Sequence, residues 1–547
     1  MIQEHSRSSS ISADLVLLNG IILTVDKDFS RAEAVAIRDG KILEVGENKT
    51  IKHFIGPNTQ IVDLEGKTVL PGFHDAHCHM HMFGVQLSQV NCRSPPIKSI
   101  EEIIVKLREK AEKTPKVRWI VGWGYDDTKL YEKRNPTRWD LDQVSSETPV
   151  VLRRTCGHTM VVNSKALELV GYNKNSPQPE GGEIEIDPSS RDLTGILRET
   201  AMNPINDIIR SYTVEEMEEA IKLACKQALM EGITSYQEAG LRTVPIKAYQ
   251  NLRARGGLPI RVCMMISSDL LEQMIETGLT TGFGDDWLKI GPIKIMMDGG
   301  MGGKTAALYE PYEGTKDNLG IIYMSQQQLD IMVKKAHNAG FQVAIHGIGD
   351  RAIDVILNSY ERAIKDNPRE DHRHRIEHCG LSTPSINKRL RELNVLPVGQ
   401  PPFLYNIGDS FNNNLGTRRI MWAYPFKTWF EHGFKPSGSS DRPVVLGAPL
   451  LGMWAAVNRK TENGMVLASQ ERVTPEQAVI MYTINAAYTC FEEKIKGSIE
   501  PGKLADMVVL SDDPTNVPTN TIKDIKVIMT LVNGKIVYEA KISKLGC

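Results

Sequence analysis

Phe341–Asp354, FQVAIHGIGDRAID, and Arg373–His378, RHRIEH, decide how this chain folds. Each carries a short apolar run that ends in a histidine, and the first passes directly into the start of a helix, which Asp350 is expected to cap. A strand, a helix and a second strand of this kind form a βα unit and call for a parallel sheet. Outward from this pair, GITSY (232–236), RVCMMI (261–266), PIKIMM (292–297), VLPVGQ (395–400) and SGSSD (437–441) read as strands of the same type. With VLPGFHDAH (69–77) they make eight, ending near His79, Tyr236, Met265, Met297, His346, His378, Gln400 and Asp441. The pattern predicts an α/β chain built on a closed (β/α)8 TIM-type barrel.

Helical segments between the strands open on capping boxes: Ser99/Glu102, Thr213/Glu216, Ser325/Gln328 and Thr474/Gln477. The interval between the first and second strands, residues 82–230, is too long for one crossover and is expected to hold an insertion. Both ends of the chain have a different texture. Short Val/Ile/Leu runs split by NG, DG and EG turns fill residues 13–70 and return after residue 490. Residues 1–70 and 490–547 are therefore expected to build one composite β-sandwich, with the barrel domain spanning 71–489.

The charge balance, 65 basic against 67 acidic residues in 547, contains no basic tract, so no nucleic-acid or membrane-surface partner is expected. Eight cysteines scattered without CxxC pairs read as reduced thiols, and with no leader-like or membrane-spanning run they point to a cytoplasmic protein. The edge of the sandwich is a candidate surface for a homodimer.

Chemistry concentrates at the predicted C-terminal ends of the strands. In LPGFHDAHCHMHMFG (70–84), strict alternation puts Asp75, His77, His79 and His81 on one face and His74 and Cys78 on the other. His77 and His79 are then spaced to reach one ion, and His346, His378 and Asp441 end other strands at the same rim. Any one of these histidines alone reads as an ordinary hydrogen-bonded side chain; the set argues for metal. His81 reads as a supporting or substrate contact, and His372 and His374 as solvated or core-lining. Lys294 interrupts an apolar strand, where an unpaired ammonium costs several kcal/mol. Two explanations stand: carbamylation by CO2, giving an N6-carboxylysine that bridges two ions, or an ion pair with Asp298 or Glu238.

PGFHDAHCH, IKIMMDGGMGGKTAALYEPY, AIHGIGDRAID, RHRIEH, SSDRPV and GSIEPGKLADMVVL, in that order, resemble the amidohydrolase superfamily. The branch they resemble is family 3, the YtcJ-like enzymes, some of which are N-substituted formamide deformylases. The resemblance implies a metal-dependent barrel hydrolase with His77, His79, Lys294, His346, His378 and Asp441 as ligands of one or two divalent ions, zinc (Zn2+) being the expected metal. Glu238 and Cys263 stand as alternative bridging ligands. RRTCGHTMVVNS (153–164) also resembles this branch, which makes Arg153 and His158 candidates for substrate contact, while the role of Lys304 stays open. Tyr125, with Trp123, is a candidate lining of an apolar pocket. Gln400 either contacts substrate or satisfies a backbone group at the rim.

The chemistry implied is hydrolysis of the C–N bond of a small amide-type substrate, N-formyl or N-acyl, with Asp441 as general base and then acid. His158 is a candidate for steadying the oxyanion. Deamination, or hydrolysis of a carbamate or ester, uses the same water and acid. A binding or regulatory protein that keeps the fold is the alternative of another class.

Overall fold

Eight parallel strands form the central sheet: β1 (Phe73–Cys78), β2 (Ile233–Leu241), β3 (Arg261–Ser267), β4 (Leu288–Met296), β5 (Val343–Gly347), β6 (Arg375–His378), β7 (Leu396–Gly399) and β8 (Ser437–Gly438). The computed structural model describes residues 12–541 apart from 95, 114–117, 155–157 and 210. Cys156, Cys547 and the centre of the RRTCGHTMVVNS motif therefore lie outside the described residues. Each strand pairs with its neighbour in chain order. The circle closes where Asp441 N donates to His77 O at 2.8 Å and His79 N donates to Arg442 O at 2.8 Å.

The βα reading of the opening stretch holds. Between β5 and β6, the helix Asp350–Asp366 buries Ala352, Ile353, Ile356, Leu357, Tyr360 and Ala363, a spacing that lays one stripe against the sheet. Its cap differs from expectation. Gly349 is the N-cap and Asp350 the first helical residue, its carboxylate accepting from Tyr309 N and Arg351 N at 3.1 and 2.9 Å. The boxes at Thr213/Glu216, Ser325/Gln328 and Thr474/Gln477 form reciprocally. Glu102 instead reaches back to Lys98 N, while its own N–H takes Ser99 Oγ. Strand β2 runs on to Leu241 rather than stopping near Tyr236, because Gln237 and Glu238, polar in sequence, are both fully buried.

Strands from both ends of the chain share one six-stranded sheet, in which Thr68–Pro71 lies between Ile21–Leu23 and Met507–Leu510. Leu15, Leu17, Val35 and Val69 from the first part of the chain pack with Met507, Val509 and Leu531 from the last. A separate four-stranded sheet completes this layer pair. Gly84–Leu223 forms a compact unit of its own, a six-stranded sheet with apolar clusters that include Ile103, Leu107 and Leu152 in one and Val151, Met160 and Leu197 in the other.

His372 and His374 are buried. His374 Nδ1 accepts from Val343 N at 3.0 Å, and its ring stacks on Tyr360. The six described cysteines are free and buried. No helix among the described residues is long and apolar enough to cross a membrane.

One ion pair ties the barrel to the shared sheet. Arg261, at the start of β3, grips Asp506 with two hydrogen bonds of 2.5 and 3.0 Å; both side chains are buried, and Trp287 lies under the guanidinium. Removing one partner strands a buried charge. Asp506→Ala should lower stability by about 3–5 kcal/mol, and the double variant Arg261→Met/Asp506→Leu should recover most of it, as read by thermal unfolding.

Candidate metal centre

Two strand ends, those of β1 and β8, bring His77, His79 and Asp441 together, with one ligand-capable atom of each within 4.8 Å of the others. Asp441 Oδ1 lies 3.4 Å from His77 Nε2 and 3.2 Å from His79 Nε2. The His378 ring packs 5.1 Å from that of His77, and the His346 ring 4.4 Å from that of His378. Residues from β1, β5, β6 and the end of β8 thus meet at one rim, although His346 joins the group only through His378.

The backbone aims two of these side chains. His378 (φ 71°) and Asp441 (φ 56°) both adopt the left-handed conformation, which turns the chain sharply at the strand end. Such a conformation costs about 1–3 kcal/mol at a non-glycine residue and concentrates at functional sites. Asp75 supports the same place from β1, accepting from Ser440 N at 3.0 Å and from Ser440 Oγ at 2.5 Å.

Alternation does not run unbroken through β1. Tyr236 pairs with Asp75 but Glu238 with Cys78, a slip of one residue. His74, expected to face away from the centre, is buried with its Nε2 3.2 Å from Gln237 Nε2, in a separate group with Cys490 and Glu492. Two lysines hold the Glu492 carboxylate there: Lys289 at 3.1 Å and Lys496 at 2.6 Å.

The donor set fits a cation. His79 Nδ1 faces Ala239 O at 2.9 Å and His378 Nδ1 faces Gln400 Oε1 at 2.7 Å, so each of these nitrogens carries its ring proton and leaves Nε2 a lone pair. His77 Nε2 is buried with no hydrogen-bond partner. Imidazole lone pairs converging beside a carboxylate repel one another unless a cation lies between them. Metal-binding histidines are held in this way through their second nitrogen. His346 is turned differently, with Nε2 3.3 Å from Gly299 O and 3.4 Å from Asp298 Oδ1.

Lys294 is buried in β4, and burial pulls its ammonium down to about 8 against the charges of Glu377 and Asp441. The two acids considered as ion-pair partners are engaged elsewhere. Glu238 accepts from Met80 N at 2.9 Å and Tyr249 Oη at 3.1 Å and pairs with His81 Nδ1. Asp298 accepts from Ala307, Ile348 and Gly349 N–H groups at 2.9, 3.0 and 2.9 Å. Cys263, the other alternative bridge, interacts with Cys490, which lowers its thiol despite burial. Gln400 has a third use, holding His378 while its amide donates to Ser439 Oγ at 3.0 Å.

Tyr125, Arg153 and His158 belong to the inserted unit and have partners within it. The buried Tyr125 donates to Asn135 Oδ1 at 2.9 Å, Arg153 to Asn206 Oδ1 at 2.6 Å, and His158 Nδ1 lies 3.1 Å from Glu199. Lys304 donates to Glu313 O at 3.2 Å. Glu377 and Arg375 were missed by the sequence reading. Glu377 is wholly buried and pairs with both His77 Nδ1 and Arg375. The signal available was a pair of opposite charges two residues apart in a strand otherwise bound for the core.

A (β/α)8 barrel with histidines and an aspartate gathered at its strand ends defines a metal-dependent hydrolase. The chain belongs to the amidohydrolase family, whose model matches residues 60–538. It is 30% identical over 537 residues to an N-substituted formamide deformylase of Arthrobacter pascens, covering 96% of this chain and 98% of that one. It is 33% identical to the protein LONG AFTER FAR-RED 3 of Arabidopsis thaliana, covering 97% and 92%. Among solved structures, an uncharacterised metal-dependent hydrolase from Pyrococcus furiosus superposes with a TM-score of 0.79 at 31% identity, covering 92% of this chain and 100% of that one.

Asp298 knits the loops after β4 and β5 through three backbone donors. Asp298→Ala should orphan them, at about 1–3 kcal/mol per buried group. Amide exchange should quicken at Ala307, Ile348 and Gly349, and unchanged exchange there would show that the carboxylate does not hold the loops.

Proposed function

We propose that this protein hydrolyses the C–N bond of a small amide, of the N-formyl or N-acyl type, with Asp441 as general base and acid. The observation that carries the reading is the convergence of Asp441 Oδ1 with Nε2 of His77 and His79. His77, His79, His346, His378 and Asp441 would hold one or two divalent ions, and borderline nitrogen and oxygen donors favour zinc. When bound, such an ion polarises a carbonyl oxygen and lowers the pKa of water to about 7.

In this reading Asp441 takes a proton from the attacking water as the new C–O bond forms, and returns it to the nitrogen as the C–N bond breaks. The products are a carboxylic acid and an amine. Gln400 and Ala239 O keep the His378 and His79 rings oriented through the cycle. Asp75, through Ser440, fixes the backbone from which Asp441 projects.

Lys294 is proposed to react with CO2, its neutral amine forming an N–C bond to the carbon and releasing a proton, which yields an anionic ligand. Support comes from its burial and from the engagement of Glu238 and Asp298 by other partners. The similarity to the Arthrobacter pascens deformylase favours N-formyl amines as substrates.

Asp441→Asn should lower kcat by about 10²–10⁴-fold, the usual contribution of a general acid–base group. Near-parental turnover would remove Asp441 from the mechanism. Purified, zinc-loaded protein should cleave members of a panel of N-formyl amines, N-acyl amino acids, cyclic amides and carbamates, and cleavage of esters alone would overturn the amidase reading. Metal loading in CO2-depleted buffer should be incomplete and restored by bicarbonate, with a carbamate signal from ¹³C-bicarbonate that Lys294→Ala lacks.

A further inference from the structure

The His77 ring has two nitrogens in unlike settings. Nε2 is buried without a hydrogen-bond partner beside Asp441, whereas Nδ1 meets Oε2 of Glu377. Glu377 is itself fixed from behind. Arg375, two residues earlier on β6, donates from Nε to Oε1 and, at 2.9 Å, from Nη2 to Oε2. Arg375 is in turn held: Nη2 reaches Ala76 O at 2.6 Å, and Nη1 donates to Gln237 Oε1. The Gln237 amide is anchored by Ala486 O at 2.9 Å and Thr489 Oγ1 at 2.8 Å. Arg375, Glu377 and Gln237 are all fully buried.

These contacts determine where the His77 proton lies. A guanidinium is always a donor, so both Glu377 oxygens act as acceptors. The group that approaches Oε2 from His77 must therefore be an N–H, which leaves the lone pair of a neutral ring on Nε2. We propose that Glu377, braced by Arg375 and Gln237, is a positioning residue. It fixes the Nδ1–H tautomer of His77 and so presents Nε2 to a divalent cation. The proposal rests on the hydrolase reading above for the identity of that cation, but the tautomer is a property of the metal-free chain.

Replacement by glutamine tests this, because the amide oxygen would turn to Arg375 and its NH2 to His77. The ring would then have to accept at Nδ1 and carry its proton on Nε2, which cannot bind metal. In metal-free protein labelled with ¹⁵N-histidine, with His77 assigned by loss of its signal in His77→Gln, the parent should show Nδ1–H and Glu377→Gln should show Nε2–H. The apparent zinc affinity of Glu377→Gln, read by competition with a chromophoric chelator, should weaken about 10–100-fold, the range for loss of an outer partner of a metal-binding histidine.

Glu377→Gln also leaves Arg375 buried without its counter-charge and should unfold more easily for that reason alone. The double variant Arg375→Met/Glu377→Leu removes both charges and leaves His77 Nδ1 no acceptor at position 377. It should regain thermal stability in the metal-free state and still bind zinc weakly. Parental zinc affinity in the double variant would overturn the proposal, since Glu377 would then serve only to neutralise Arg375; so would an Nε2–H ring in the parent. Failure of the hydrolase reading looks different: the parent itself would take up no divalent ion while His77 kept its Nδ1 proton.

Discussion

Two backbone hydrogen bonds, Asp441 N to His77 O and His79 N to Arg442 O, join the first barrel strand to the last. Without them β1 and β8 would be the free edges of an open sheet, and His77 and Asp441 would stand at opposite margins. Closure makes neighbours of the two ends of the barrel sequence, and the bonds form at the very residues that carry the donor atoms. The register that satisfies the backbone therefore also sets the 3.4 Å and 3.2 Å separations from Asp441 to His77 and His79. Asp75 fastens the same seam through Ser440.

Around that seam the side chains are held from behind. Ala239 O, Gln400 and Glu377 each engage the Nδ1 of a different histidine, and a backbone carbonyl, a neutral amide and a carboxylate do so with different strength. Only the carboxylate brings a charge, and only there does the protein supply an arginine to balance it. A buried charge of this kind is tolerated when it is paired and hydrogen-bonded throughout, as Glu377 and Arg375 are. The rim is thus rigid on the β1 and β6 sides, whereas His346 is turned toward the loop that Asp298 organises.

Much of this was legible in the sequence. Apolar runs ending in histidine or aspartate mark strand ends, because polar groups in a barrel can leave the core only at its rims; His346, His378 and Asp441 stood out for that reason. The terminal β segments were legible from their NG, DG and EG turns. The slip in β1 was not, since it depends on pairing with β2 and leaves no local sign, although alternation did turn His74 away from the centre. Glu377 was hidden differently. It immediately precedes the conspicuous His378, and its partner His77 is supplied by a strand three hundred positions away. Gln400 and Asp298 likewise look ordinary until the groups they hold are seen.

The shared sheet constrains the order of events during synthesis. Thr68–Pro71 pairs on one side with Ile21–Leu23, available early, and on the other with Met507–Leu510, which is made only after the whole barrel. Throughout translation of the barrel, this strand presents an unpaired apolar edge in a nascent chain, a condition that favours association with other chains. Pairings so distant in sequence also slow folding. The strands that follow the barrel thus act as a latch: the N-terminal strands and Arg261 meet their partners only once the whole barrel has been synthesised, so the shared sheet closes behind it.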